Sequence, residues 1–439
     1  MASPLCLRGG RIIDAARGID RVQDLWIAGG RIAGLGEDAP AEVRSHPRPE
    51  VIPVAGAVIC PGLVDMHVHL REPGQEDRET IETGTFAAAR GGFTTVACMP
   101  NTVPPLDERS RIEYVIRGAR EAGHARVLPV AAVTRGQLGE ALTEIEELAE
   151  AGAVAFSDDG KPVHNAEVMR RALELTRGLG VPVIQHAEDR DLKGDGVMHE
   201  GWASTRLGLK GIPAAAESVV VARDALLAEL TGGHVHVAHV SAARSVEIIR
   251  RAKSRGIRMT AETAPHYLVL TDEAVEGYDS RTKMNPPLRG TKDREALIEG
   301  VVDGTIDCLA TDHAPHTEID KDNDFESAPF GIVGLETALG VYLKALVEPK
   351  HLSLSELLLR LTVNPLRVLG RPGGTLEAGT EADVTVFDPA RRWTVRASEF
   401  ASKGRNTPFD GWELRGRVLL TVLAGRITFR SEAFEPSVR

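Results

Sequence analysis

The stretch Pro61-Gly62-Leu63-Val64-Asp65-Met66-His67-Val68-His69-Leu70-Arg71 opens on a turn signal, runs through mostly apolar residues and ends in His-X-His-X-Arg. Leu63, Val64 and Met66 read as a buried strand. On a strand His67 and His69 share one face with backbones roughly 6.5–7 Å apart, within reach of a single metal ion. Arg71 continues that parity and sets a cation just beyond the pair. Alone, such a pair could equally be two polar residues at a strand end. Other apolar runs close the same way: Ala153–Ser157 on Asp158 and Asp159, Val181–Gln185 on His186, Val235–Ala238 on His239, and Ile306–Thr311 on Asp312. Imidazole and carboxylate donors without thiolate suit zinc, or less often manganese, cobalt or iron. Counting one of the two adjacent aspartates, the six exceed what one tetrahedral zinc with an open position takes. They suit two metals that share a bridging carboxylate and a bridging hydroxide.

These donors need a scaffold that brings strand ends together. From residue 60 onward the chain repeats strand then helix, with candidate strands ending near His69, Met99, Val133, Ser157, His186, His239, Thr263 and Asp312. The stretches Glu79–Arg90, Glu108–Glu121, Leu138–Ala149, Ala166–Leu179, Ala214–Leu230, Ser245–Lys253 and Asp293–Val302 carry apolar residues at three- and four-residue spacing, as helices do. Eight such units predict a (β/α)8 barrel, whose chemistry sits at the C-terminal ends of its strands. No glycine-rich nucleotide fingerprint follows the first strand. Short alternating segments flank this region at both ends and predict a small β-sandwich domain formed jointly from the N- and C-terminal segments. The expected division is 1–58 and 371–439 for that composite domain, with the barrel at 59–370.

Composition narrows the function classes. With 52 basic against 63 acidic residues the net charge is −11, which argues against a nucleic-acid or anionic-membrane partner. Aromatics at 4% leave little for base stacking. No apolar run is long enough to span a bilayer and the N-terminus has no secretory apolar core, so a cytoplasmic protein is expected. Cys6, Cys60, Cys98 and Cys308 form no CxxC pair and read as reduced, buried thiols.

Seven motifs together resemble the dihydroorotases of the bacterial monofunctional type, within the amidohydrolase superfamily. They are His67-Val68-His69-Leu70-Arg71-Glu72-Pro73-Gly74, Met99-Pro100-Asn101-Thr102, Ser157-Asp158-Asp159-Gly160, Gln185-His186-Ala187-Glu188, His239-Val240-Ser241, Met284-Asn285-Pro286-Pro287-Leu288-Arg289 and Thr311-Asp312-His313-Ala314-Pro315-His316. The resemblance runs in order over about residues 60–370. It implies two zinc ions, one on His67, His69 and Asp312 and the other on His186 and His239, with Asp159 between them. It implies reversible cyclisation of N-carbamoyl-L-aspartate to L-dihydroorotate in pyrimidine biosynthesis, with Asp312 as base and then acid. Substrate contacts are implied for His69, Arg71, Asn101, Asn285, His316, Phe330 and Gly331. Related hydantoinases bridge their metals with a carbamylated lysine. Here that position is acidic and the nearest lysine is Lys161, two residues on. Asp158 competes with Asp159 for the bridging role.

Competing readings are an allantoinase or hydantoinase, and a non-catalytic scaffold for aspartate transcarbamoylase. A homodimer and a transcarbamoylase partnership both stay open. His234 and His236 have the opposite parity to His239 and read as polar barrel or helix-facing residues, with a local bend freeing His239. His266 has no assigned role. His46, His124, His164, His199 and His351 read as surface residues. Arg289 either supports the substrate site or caps a helix, and the charged stretch from Thr317 to Ser327 is a solvated loop or a lid.

Overall fold

A computed structural model describes residues 3–44, 49–432 and 434; His46 lies outside the described residues. The centre of the molecule is an eight-stranded parallel sheet rolled into a barrel. Its strands are, in order, Leu63–Val68, Phe93–Cys98, Arg126–Ala131, Ala155–Phe156, Val183–Gln185, Val235–Val237, Met259–Thr263 and Cys308–Leu309. Most are short runs buried on both faces, as a parallel sheet wrapped by helices requires. Met66, Ala97, Val130, Ala155, Ile184 and Cys308 form one buried cluster, and Val96, Val127, Phe156, Val183, Val235 and Ala261 a second, which also takes in the helices. The opposite parity of the two sets is the alternation between barrel interior and helix-facing exterior.

The eighth strand returns to the first through its loop. Val68 bridges His313 in parallel, and His69 N donates to His313 O at 2.8 Å. Beneath that bridge the buried Asp65 carboxylate accepts from Thr311 N, Thr311 Oγ1 and His67 N, at 3.1, 2.6 and 3.1 Å. The seam of the barrel is therefore sewn by the residues that flank the candidate donors.

Local signals fix the helices. Thr80 and Thr83 form a reciprocal cap at the start of Ile81–Arg90. Asn165 caps Ala166–Leu179, and Gly180 ends it in the left-handed conformation at φ 73°. The helix expected over Leu138–Ala149 is the one that differs. It runs only over Ile145–Ala151, because Thr134 bridges Leu142 and the Thr143 hydroxyl donates to Ala132 O at 2.8 Å, folding residues 134–143 into a compact loop.

A second eight-stranded sheet takes strands from both ends of the chain. Val58–Pro61 lies between Leu5–Asp14, to which it is parallel, and Val384–Thr394, to which it is antiparallel. Glu413–Leu423 and Arg426–Arg430 extend it on one side, Ile19–Ala28 and Arg31–Leu35 on the other, while Glu50–Pro53 pairs with Leu5–Asp14. Leu7, Ile12, Leu25, Ile59, Val384, Val386, Leu420 and Val422 make its core. Gly-Gly-Arg-Ile occurs at residues 9–12 and 29–32 with different outcomes: Gly29-Gly30 turns a hairpin, whereas Gly9-Gly10 sits at a bulge inside a strand. Arg126 fastens this domain to the barrel through Asp383 and Glu381, both at 2.6 Å. All four cysteines are unpaired and buried. Among the described residues no helix is long and apolar enough to cross a membrane.

Candidate active site

The four histidines and two aspartates singled out by sequence meet at the C-terminal rim of the barrel, all buried. Asp159 lies at their centre. Its carboxylate is 3.4 Å from His67 Nε2, 3.5 Å from His69 Nε2, 3.6 Å from His186 Nδ1 and 3.5 Å from His239 Nε2. Asp312 Oδ1 is 3.1 Å from His69 Nε2 and 3.7 Å from His67 Nε2. His186 Nδ1 is 2.9 Å from His239 Nε2. His67, His69 and Asp312 form one compact donor group and His67, Asp159 and His239 another, with His186 against His239.

The backbone is bent to achieve this. His239 has φ 33°, Asp312 φ 50° and Arg71 φ 62°, left-handed values that cost side-chain-bearing residues energy and concentrate at functional sites. The bend at His239 frees its ring from the parity of His234 and His236. Arg71, in contrast, does not continue the first strand, which stops at Val68; the turn delivers it.

Hydrogen bonding decides which ring nitrogens face inward. His67 Nδ1 is 2.6 Å from Glu262 Oε1, and His69 Nδ1 is 2.8 Å from Asn101 Oδ1. Both partners are acceptors, so each neutral ring carries its proton on Nδ1 and turns the Nε2 lone pair toward the aspartates. His67 Nε2, His239 Nδ1 and Asp159 Oδ1 have no hydrogen-bond partner among the described residues. Lone pairs facing lone pairs at this range repel unless cations lie among them. The donor set therefore fits metal ions, and its hard oxygen and imidazole character suits zinc or a similar divalent ion.

Without metal, protons on the rings take the place of such cations. Burial opposes charge on His67 and His186, yet the carboxylates of Asp159 with Glu262, and of Asp159 with Glu188, win and raise both, His186 to about 9. Burial likewise opposes ionisation of Asp312, but His69 and His67 bring it down to about 2. His69 is lowered by burial, with Arg71 adding to it.

The other nominated residues ring this centre. Burial, with Arg78 nearby, lowers Arg71 to about 10; it is still a cation at neutral pH, and its Nε donates to Pro315 O at 3.1 Å. Asn285 Nδ2 is 3.2 Å from His186 Nε2, and its buried Oδ1 has no partner among the described residues. His316 Nε2 donates to Phe330 O at 2.8 Å, leaving Nδ1 without a hydrogen bond. Gly331 has φ 126° and touches the same loop: a Cβ there would be 2.8 Å from Ala314 Cβ. Lys283 and Lys193 ammonium groups lie 4.7 and 5.1 Å from the Phe330 ring centre.

Several residues have other duties. Asp158 turns away to accept from Thr134 N and Thr134 Oγ1. Lys161 Nζ points to Gln137 O at 3.4 Å. Arg289 is buried and bonds Ser241 Oγ and Ile212 O, at 3.1 and 2.8 Å, tying two loops together. His199 is half-buried, and Arg289 Nη1 lies 3.2 Å from its Nδ1. His236 is in the barrel interior, 3.4 Å from Glu262 Oε2. His266 is buried on Tyr267, neutral because burial lowers it to about 4. The Thr317–Ser327 stretch holds a short helix, Glu318–Lys321, with Lys321 and Phe325 buried. Glu262 and Asp65 escaped sequence reasoning. Their one signal is a carboxylate inside an otherwise buried strand.

Residues 213–429 match the family described as "Amidohydrolase family", and residues 56–245 the one described as "Dihydro-orotase-like". An L-hydantoinase (dihydropyrimidinase) from Arthrobacter aurescens shares the fold, with TM-score 0.86, 25% identity and coverage of 99% of this chain and 98% of that one. Barrel, appended sheet and donor set define a cyclic amidohydrolase. A dihydroorotase of Pelotomaculum thermopropionicum is 54% identical over 97% of this chain and 98% of its own length. One from Geobacter sp. (strain M21) is 51% identical over 97% and 99%. The chain belongs to the dihydroorotase family.

Proposed function

We propose that this protein interconverts N-carbamoyl-L-aspartate and L-dihydroorotate in pyrimidine biosynthesis, with two zinc ions per chain. The observation that carries the reading is the convergence of four imidazoles on Asp159, within 3.4–3.6 Å, with Asp312 beside two of them. His67, His69 and Asp312 would hold one ion, His186 and His239 the other, and Asp159 would serve both. When bound, the pair acidifies a shared water and polarises the ring carbonyl. The turn of Lys161 toward Gln137 supports a carboxylate rather than a modified lysine in the shared position.

In the hydrolytic direction the water oxygen adds to the ring carbonyl carbon and the carbon–nitrogen bond breaks. The Asp312 carboxylate takes the water proton and returns it to the leaving nitrogen; ring closure is the reverse. It is ionised at neutral pH, the form a base requires. Arg71, together with Asn101, binds the substrate carboxylate, its fork oriented by the bond to Pro315 O. Asn285 Oδ1 and His316 Nδ1 are buried acceptors for ring N–H groups. Phe330 and Gly331 close over the ring.

The test pairs metal analysis with dihydroorotate hydrolysis before and after chelation. About two zinc ions per chain with chelator-sensitive activity is the expected result. Metal without activity on dihydroorotate, but with activity on allantoin or a hydantoin, overturns the substrate. Absence of both metal and activity overturns the reading in favour of a scaffold.

A further inference from the structure

The rim loop bearing Asp312 to His316 is clamped by residues that come from outside the barrel. Between Ala397–Glu399 and the strand Glu413–Leu423, the C-terminal segment leaves the sheet and crosses to the rim. Phe400 and Phe409 anchor its two ends in an apolar cluster with Val333, Val341, Val395 and Leu414. Between these anchors Asn406 spends its whole side chain on two loops. Its Oδ1 accepts from His316 N at 3.2 Å, and its Nδ2 donates to Ala314 O and to Gly331 O, each at 3.0 Å. Its own carbonyl accepts from Val333 N at 3.0 Å. Asn406 is 4% exposed.

The rest of the segment is shaped for the same approach. A Cβ on Gly404 would fall 2.8 Å from Asn406 Oδ1, Pro315 Cβ and Val333 Cγ1, so only glycine lets the strap lie flush. Ser402 Oγ and Lys403 N both donate to the buried Glu79, which also faces His313 Nε2 at 3.3 Å. These contacts fix the strap's path independently of Asn406.

We propose that Asn406 is a positioning residue for substrate binding: it holds the His316 loop and the Gly331 loop at a fixed separation, so that both present their groups to one bound ring. This rests on the reading of His316 and Gly331 as substrate contacts. The amide is suited to the task because one planar group offers an acceptor to one loop and two donors to carbonyls on both. Those carbonyls and the amide are buried, and a missing partner leaves them unsatisfied. Among the described residues no candidate metal donor bonds to Asn406 directly.

The experiment compares Asn406→Ala and Asn406→Asp with wild type in three readouts: amide hydrogen exchange over residues 313–333, metal content, and steady-state kinetics on dihydroorotate. Aspartate keeps the acceptor but sets a carboxylate oxygen against two carbonyls. Both variants are expected to exchange faster across 313–333 and to retain wild-type metal. KM should rise about ten-fold or more while kcat stays within about three-fold, the signature of lost ground-state positioning. Unchanged exchange overturns the proposal. Faster exchange with unchanged KM instead removes His316 and Gly331 from the substrate site and leaves the clamp standing. Asn406→Ser and Gly404→Ala serve if the first variants fail to fold, with the same pattern expected. Loss of metal in folded variants also overturns the proposal.

Discussion

Asp312 carries two burdens on one strained residue: its Oδ1 stands 3.1 Å from His69 Nε2, and its backbone is left-handed. Asp312→Asn should lower kcat by about a hundred-fold or more, the range typical of a lost proton-transfer group, while KM moves far less; steady-state kinetics on the metal-loaded protein decide it. Lys321 is a different kind of residue. It is buried, with its Nζ on Pro329 O at 2.8 Å, and burial with Lys283 nearby lowers it from 10.5 to about 7. Between those values the unfolded chain holds the extra proton, so Lys321 makes stability rise with pH through that window. Lys321→Met should gain most on wild type at pH 6 and keep less of that advantage at pH 9, losing it only toward pH 10.5, as thermal unfolding at each pH would read. The donors themselves were legible because each closes an apolar run, and a strand end in a barrel is a place of chemistry. Glu262 was not. Nothing in Met259–Thr263 tells that its carboxylate faces a histidine 195 residues away in sequence.

At the scale of elements, carboxylates inside strands hold the candidate metal donors and their loops. Glu262 reaches from the seventh strand to His67 on the first, and Asp65 reaches from the first to Thr311 beyond the eighth. Glu262→Gln should weaken metal binding about 10–100-fold, the usual effect of losing a partner behind a ligand imidazole; chelator competition measures it directly. Asp65→Ala should cost at least about 1–3 kcal/mol, because it strands buried donors, and should also loosen the Asp312 side of the centre, readable by thermal unfolding and metal retention. The helices were read to within a few residues where capping and periodicity coincide, as in Ala166–Leu179. The stretch from Leu138 was misread because its apolar spacing mimics a helix. Hydrogen bonds of Thr134 and Thr143 to distant segments override that local pattern.

At the scale of the molecule, the proposed metal binding is linked to pH and to the fold. In the metal-free chain His186 holds a proton up to about 9, because Asp159 and Glu188 outweigh its burial. Metal uptake must displace that proton, so affinity rises with pH up to that value and acid favours release. A chelator should therefore strip the protein faster at pH 6 than at pH 8.5. Stripping should lower the unfolding temperature, since ions that bind only the folded state stabilise it. The composite sheet was legible as strand-like ends. Its seam was not, since the pairing of Val386 with Ile59 depends on the whole barrel lying between them.

That seam has a consequence in time. A chain is made from its first residue onward, and every candidate metal donor, from His67 to Asp312, is made well before Val384. A nascent chain could close its barrel and gather those donors while Val58–Pro61 still lacks its C-terminal neighbour. The clamp at Asn406 arrives later still, and only when the closing strands of the sheet follow it is the segment held at both ends. The proposed clamp is thus made after every candidate donor, and closes on a rim whose donors can already be gathered.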